Sequence, residues 1–213
     1  VIADALADLR VRLANAGGAD VVVVAVTKGF PAATVTAAIE AGVGHIAESY
    51  AQEAVEKLAT VRAAGHLGGI CVHFIGRLQT NKVRILAPWI DRWDSVDRSA
   101  VIDEIARRQP GARILIQVNA TGEANKGGAP PSEVEALLES ARGAGLVVEG
   151  LMTVGPTQGG PGATRAACEQ VRSLVDRFGL SVCSMGMSDD LEVAVAAGST
   201  EVRVGSALFG TRP

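Results

Sequence analysis

The stretch SMGMSDDLEVAVAAGSTEVRVGSALFG, Ser184 to Gly210, alternates two kinds of segment. Its first residue closes a short strand, Ser181–Ser184. Ser188 is placed to cap a helical segment that runs to Ala197 and is stopped by Gly198. Glu201–Val204 is again a short β-branched strand, and Gly205 and Ser206 repeat the strand-to-helix turn. Strand, helix and strand in close succession form the unit of a parallel sheet, because parallel neighbours can be joined only by a long crossover.

Working back toward the amino terminus, the same unit recurs. Further strands are expected at Val21–Val26, Val43–Ala47, Val72–Ile75, Arg92–Val96, Arg113–Val118 and Val147–Met152. Between them lie amphipathic segments. In the first, Ile2, Leu6, Leu9 and Leu13 share a face and Gly17 and Gly18 end it. Pro130 and Pro131 precede a capping box formed by Ser132 and Glu135, whose helix ends at Gly143 and Gly145, and Gly179 stops the segment from Ala163 to Phe178. Eight strand–helix units within 213 residues fit a small (β/α)8 barrel, although an open doubly wound sheet satisfies the same alternation. The Gly- and Pro-rich stretches 122–131 and 155–162 then read as loops that follow strands.

Composition narrows the function. With 48% hydrophobic and 20% charged residues the chain can bury a core as one domain. A net charge of -3 is the wrong balance for tracking phosphate backbones, so no nucleic acid partner is expected. The apolar runs are far shorter than a membrane span, and Asp4, Asp8 and Arg10 are unlike a secretory leader, so a cytoplasmic protein is expected. Cys71, Cys168 and Cys183 are scattered and odd in number, and His45, His66 and His73 show no metal-ligand spacing, so no metal is expected.

Several residues could carry chemistry. Lys28 follows the first strand and emerges at the carboxyl end of the sheet, the functional face of either architecture. Partial burial would lower its pKa, and a neutral amine is the form that attacks an aldehyde; the alternative is a strand-end lysine reaching solvent. Gly186 with Ser188, and Gly205 with Ser206, form turns whose free N–H groups suit an anion, or are ordinary helix caps. Arg203, inside the last strand, needs acceptors, either a ligand or a salt bridge to Glu201 or to a neighbouring strand. His73 reads as a hydrogen-bonded core histidine, and Arg77, Lys82 and Arg84 as a solvated helix face. Spacing leaves the roles of Glu48 and Tyr50 open.

Taken together, AVTK (25–28), ESYAQE (48–53), HFIGRLQTNK (73–82), QVNATGEANKGG (117–128), GLMTVGP (150–156) and the 184–210 stretch resemble the pyridoxal 5'-phosphate homeostasis protein family, nearly end to end. The resemblance implies a fold-type III barrel related to the amino-terminal domain of alanine racemase, and so selects a single (β/α)8 barrel spanning 1–213. It implies that Lys28 holds pyridoxal 5'-phosphate (PLP) as an internal aldimine. Ser188, Gly205 and Ser206, with Gly186 beside them, would hold its phosphate, and Arg203 would face the pyridine nitrogen. Ser49 stands where the family usually has asparagine beside the ring and is expected to reach the 3'-oxygen through water; Ala47 and Val72 replace a usual glycine and tryptophan. The implied function is a monomeric PLP carrier and buffer without catalytic turnover, passing the cofactor to apo PLP-dependent enzymes. Two alternatives stand beside it: an amino-acid racemase, for which Tyr50 is the chain's single tyrosine, and a cofactor-sensing interaction protein.

Overall fold

The first strand, β1 (Val22–Val26), separates two apolar environments because successive side chains point to opposite faces. Val24 and Val26 pack with Ala47 in a small cluster, whereas Ala25 belongs to the large core that also takes residues from the helices. A strand buried on both faces must have cover on both, and here the sheet closes on itself. The structure is a computed structural model describing residues 1–212, in which the strands form a closed, all-parallel barrel ordered β1 to β8. The remaining strands are β2 (His45–Glu48), β3 (Cys71–Phe74), β4 (Arg92–Val96), β5 (Arg113–Val118), β6 (Val147–Thr153), β7 (Val182–Ser184) and β8 (Glu201–Val204). Closure pairs Val22 with Glu201 and Val24 with Arg203, so the first and last strands leave no free edge. The expected strands are all present: β4, β5 and β8 have the expected bounds, and the ends of the other five differ by at most two residues.

The helices are α1 (Ile2–Asn15), α2 (Ala32–Glu40), α3 (Ala51–Ala63), α4 (Thr80–Leu86), α5 (Ser99–Arg108), α6 (Val134–Gly143), α7 (Gly160–Arg177), α8 (Leu191–Ala196) and α9 (Ser206–Phe209). α1 buries Leu6, Leu9 and Leu13, and Gly17 at φ 87° turns the chain after it. Two expected caps do not form. Pro131 opens a 3-10 turn, Pro131–Glu133, so Ser132 already has helical backbone instead of the extended conformation of a capping residue; α6 starts at Val134 without a side-chain cap. Ser188 does not cap α8 either, because Asp190 accepts the Met187 N–H at 2.6 Å and delays the helix to Leu191. No helix of the described residues is long and apolar enough to cross a membrane.

The barrel axis is not uniformly apolar. At the amino ends of the strands lie His45, His73, Arg92, Asp94 and Glu201; Arg92 contacts both oxygens of Glu201 (2.6 and 2.7 Å) and reaches Asp94 Oδ1 at 2.7 Å. His73 is fully buried and hydrogen-bonded, as expected of a core histidine. The histidines show no metal-ligand spacing in the sequence, but the β2–β3 register sets His45 beside Cys71 and Ala47 beside His73, so two histidines 28 residues apart meet at 3.0 Å.

Candidate functional site

At the opposite, carboxyl end of the barrel a cavity of about 570 Å³ is lined by Lys28, Ser188, Arg203, Gly205 and Ser206, together with apolar Val26, Phe30, Ile75 and Met152. Five residues singled out in the sequence from three separate segments therefore face one space. A more open depression of about 860 Å³ lies between the loops after β5 and β6, lined by Thr121, Glu123, Asn125 and Thr157 among others. No lysine or arginine lines it, whereas the smaller cavity brings Lys28 and Arg203 to one wall, which makes it the candidate site.

Lys28 is half-buried. Its pKa is lowered from the ordinary lysine range, first by burial and then by the cations Arg212 and Arg203, with Glu48 opposing. This enlarges the neutral, nucleophilic fraction of the amine. Arg212 is a site neighbour that the sequence reading missed, since only the folded chain brings position 212 to the first loop; it also lines the cavity.

Arg203 is 4% exposed. The salt bridge to Glu201 is not made, because Glu201 gives its carboxylate to Arg92. Arg203 instead donates to Ser184 Oγ at 2.8 Å and to the Thr153 carbonyl at 2.6 Å, which fix the guanidinium between β6 and β7 without neutralising it. Burial lowers its pKa, yet a guanidinium stays charged in proteins. The result is a buried cation at the cavity wall.

Ser188 Oγ accepts the Ala207 N–H at 3.3 Å, so the turn after β7 caps the helix after β8 instead of its own. Ser188, Gly205 and Ser206 thereby form one continuous surface. Gly186 lies behind it, outside the cavity lining. At φ 98° it takes a conformation that disfavours other residues, and a Cβ there would stand 2.7 Å from the Ala194 Cβ, so the glycine lets α8 pack close. Ser49 is half-buried and likewise outside the lining. Its carbonyl packs against Gly76, where a Cβ would come within 1.9 Å of that oxygen. Glu48 is fully buried and outside the lining, accepting from Thr27 Oγ1 (2.6 Å) and Lys57 Nζ (2.8 Å). Tyr50 is 56% exposed and outside the lining.

Known proteins share this arrangement of strands and sequence. The model of the alanine racemase N-terminal domain family matches residues 3–213. The pyridoxal phosphate homeostasis protein of Pseudomonas aeruginosa is 37% identical over 224 residues, covering 99% of this chain and 96% of that one. The chain belongs to the pyridoxal phosphate homeostasis protein family. Within the family, two structures of PipY from Synechococcus elongatus are 32% identical to this homeostasis-family chain and cover 99% of it and 100% of their own. The one without PLP superposes with a TM-score of 0.89, and the one with PLP bound with 0.85.

Proposed function

We propose that this homeostasis-family protein binds PLP reversibly through Lys28 and acts as its carrier and buffer, without catalytic turnover. The observation that carries the reading is the convergence on one cavity of a half-buried amine with lowered pKa, a buried unneutralised guanidinium and the serine-bridged turns after β7 and β8. These residues suit a flat anionic aldehyde: an amine for the carbonyl, N–H and hydroxyl donors for the phosphate, and apolar Val26, Ile75 and Met152 against the ring. When bound, PLP supplies an aldehyde that condenses reversibly with a primary amine.

In this reading Ser188, Gly205 and Ser206 hold the phosphate, and Gly186 supports them by shape. Arg203 faces the ring nitrogen. A guanidinium with a pKa above about 12 does not hand over its proton, so the ring is left a weak electron sink and carbanion chemistry is poorly supported. Ser49 reaches the 3'-oxygen only through water. Tyr50, exposed and outside the cavity, does not stand opposite Lys28 as a racemase's second base would. The proposal extends to residues 1–213 acting as one PLP-binding unit, in the cytoplasm, with apo PLP-dependent enzymes as recipients. A monomer fits the surface, since the large exposed apolar side chains are spread along the chain: Val1 and Val11 at α1, Tyr50 before α3, Val147 at the start of β6 and Met187 after β7.

The test is an absorbance spectrum of the purified protein with PLP, before and after borohydride reduction, with mass mapping of the modified peptide. The visible band should disappear in Lys28→Ala while the far-UV circular dichroism is kept, and the label should map to Lys28. A band of unchanged intensity in the substituted protein would refute the assignment. Deuterium exchange at the α-carbon of common amino acids, sustained and dependent on Lys28, would instead favour a racemase.

A further inference from the structure

The polar cluster at the amino end of the barrel lies across a layer of Val24, Val26 and Ala47 from the Lys28 cavity, and the proposed function does not use it. Three of its members, His45, Cys71 and His73, each offer one ligand atom, and these atoms all lie within 4.8 Å of one another. We propose that His45, Cys71 and His73 bind one zinc-class divalent cation at this end of the barrel, through two imidazole nitrogens and a thiolate.

Geometry supports three ligands converging on one centre. His45 Nδ1 and His73 Nε2 face each other at 3.0 Å. Two zinc–nitrogen bonds of about 2.05 Å at a tetrahedral angle place their nitrogens roughly 3.3 Å apart, so the pair needs to open by only a few tenths of an ångström. The His73 ring is held at its far side. His73 Nδ1 lies 2.9 Å from Asp94 Oδ2, and Asp94 is itself fixed by Arg92 at 2.7 Å. Arg92 Nη2 also comes within 3.0 Å of Nδ1, but Asp94 is the acceptor for the Nδ1–H, which turns Nε2 toward His45 and the metal position. A carboxylate behind a ligating imidazole is the usual outer partner of such a metal site.

The donor set and the charge select the ion. Two nitrogens and one sulfur suit zinc and its neighbours, not magnesium or calcium, which take oxygens. Arg92 and Arg113 stand against the carboxylates of Asp94, Glu149 and Glu201. With a thiolate added, the cluster carries two excess negative charges, which one divalent cation balances. Binding forms one metal–sulfur and two metal–nitrogen bonds, and releases to solvent the thiol proton and the proton shared between His45 Nδ1 and His73 Nε2. His45 and Cys71 are only half-buried, so a fourth position is open to water. The neighbouring trio His73, Asp94 and Glu201 is a poorer candidate, because the Arg92 guanidinium already sits between its two carboxylates.

Cobalt(II) is the probe. The full chain, reduced, desalted under nitrogen and shown by thiol titration to keep its three free cysteines, is titrated with Co²⁺. One cobalt per chain with a sulfur-to-cobalt charge-transfer band is expected, displaced by Zn²⁺. The band should be lost in Cys71→Ser, and the titration should weaken in His45→Ala, whose half-exposed ring can be removed without emptying the core. Lys28 lies at the other end of the barrel, so the PLP absorbance of both variants should equal that of the parent. No sulfur-to-cobalt band in the parent, or a band retained in Cys71→Ser, would overturn the proposal.

Discussion

Lys28 is held through its own backbone on both sides. Lys57 Nζ donates to the Thr27 carbonyl at 2.7 Å, and Glu53 accepts the Gly29 N–H at 2.7 Å. Lys57 bridges Glu53 (2.6 Å) to buried Glu48 (2.8 Å), so one ammonium from α3 ties the end of β1 to the end of β2. Burial raises the Glu48 pKa, Lys57 opposes that, and one Glu48 oxygen, Oε2, has no hydrogen-bond partner. Lys57→Met therefore strands a buried carboxylate. It should lower stability by about 3–5 kcal/mol, measured by urea unfolding, and slow PLP capture in the protein that remains folded. A second prediction concerns the amine itself. Arg212 lowers the Lys28 pKa, so Arg212→Gln removes a like charge and the pKa rises. The pH at which the capture rate reaches half its plateau should move upward in that variant; a midpoint that stays or falls would contradict the role of Arg212. Lys28 was legible in the sequence because it ends an apolar strand, whereas nothing in the local sequence singles out Lys57, which the fold buries.

At the scale of elements, close approach explains glycines that turn propensity alone does not. A Cβ on Gly150 would stand 1.9 Å from the Val182 carbonyl, within the β6–β7 pairing. The obstacle is backbone, so Gly150→Ala should force the strands apart and cost about 1–3 kcal/mol or more in urea unfolding, with a loss near ±0.5 kcal/mol counting against it. The two Gly- and Pro-rich loops are tied to each other. Glu123 accepts the Thr157 N–H at 3.0 Å and its hydroxyl at 2.7 Å, and pairs with Lys126, which also donates to the Gly155 carbonyl. Those donors, led by the Thr157 amide, hold the Glu123 carboxyl down to about 2. Its folded pKa is below the unfolded one, so the contribution of this loop clasp is complete above the ordinary carboxylate range and is lost as pH falls through about 2. An NMR titration should place the Glu123 midpoint near 2, and Glu123→Gln should raise amide exchange at Thr157. Strand existence and order were legible from β-branched runs and glycine stops. The failed Ser132 and Ser188 caps were not, because neighbouring Pro131 and Asp190 set the backbone there first.

Across the whole molecule, the barrel interior is divided into a charged amino end, a thin apolar layer and the Lys28 cavity. The charged end depends on Arg92, 4% exposed, which serves Asp94, Glu149 and Glu201 together. Arg92→Leu should cost about 3–5 kcal/mol, because two buried carboxylates, Asp94 and Glu201, lose their cation at once. Arg177 and Glu135 make an ion pair at 2.8 Å with both side chains more than half exposed, and Arg177→Ala should cost less than ~1 kcal/mol. Equal losses in the two variants would show that the interior network carries no special weight.

The sequence by itself determined the alternation of strand and helix, the number of units, the family and five of the residues that line the cavity, Lys28, Ser188, Arg203, Gly205 and Ser206, because these depend on local periodicity and on motifs contiguous in the chain. Only the tertiary structure decided which acceptors Arg203 takes, that Ser188 caps the helix after β8, that Arg212 reaches Lys28, and that His45, Cys71 and His73 meet. Each of these depends on strand register and barrel closure. Those bring residues tens of positions apart within a few ångströms, and no local spacing records that.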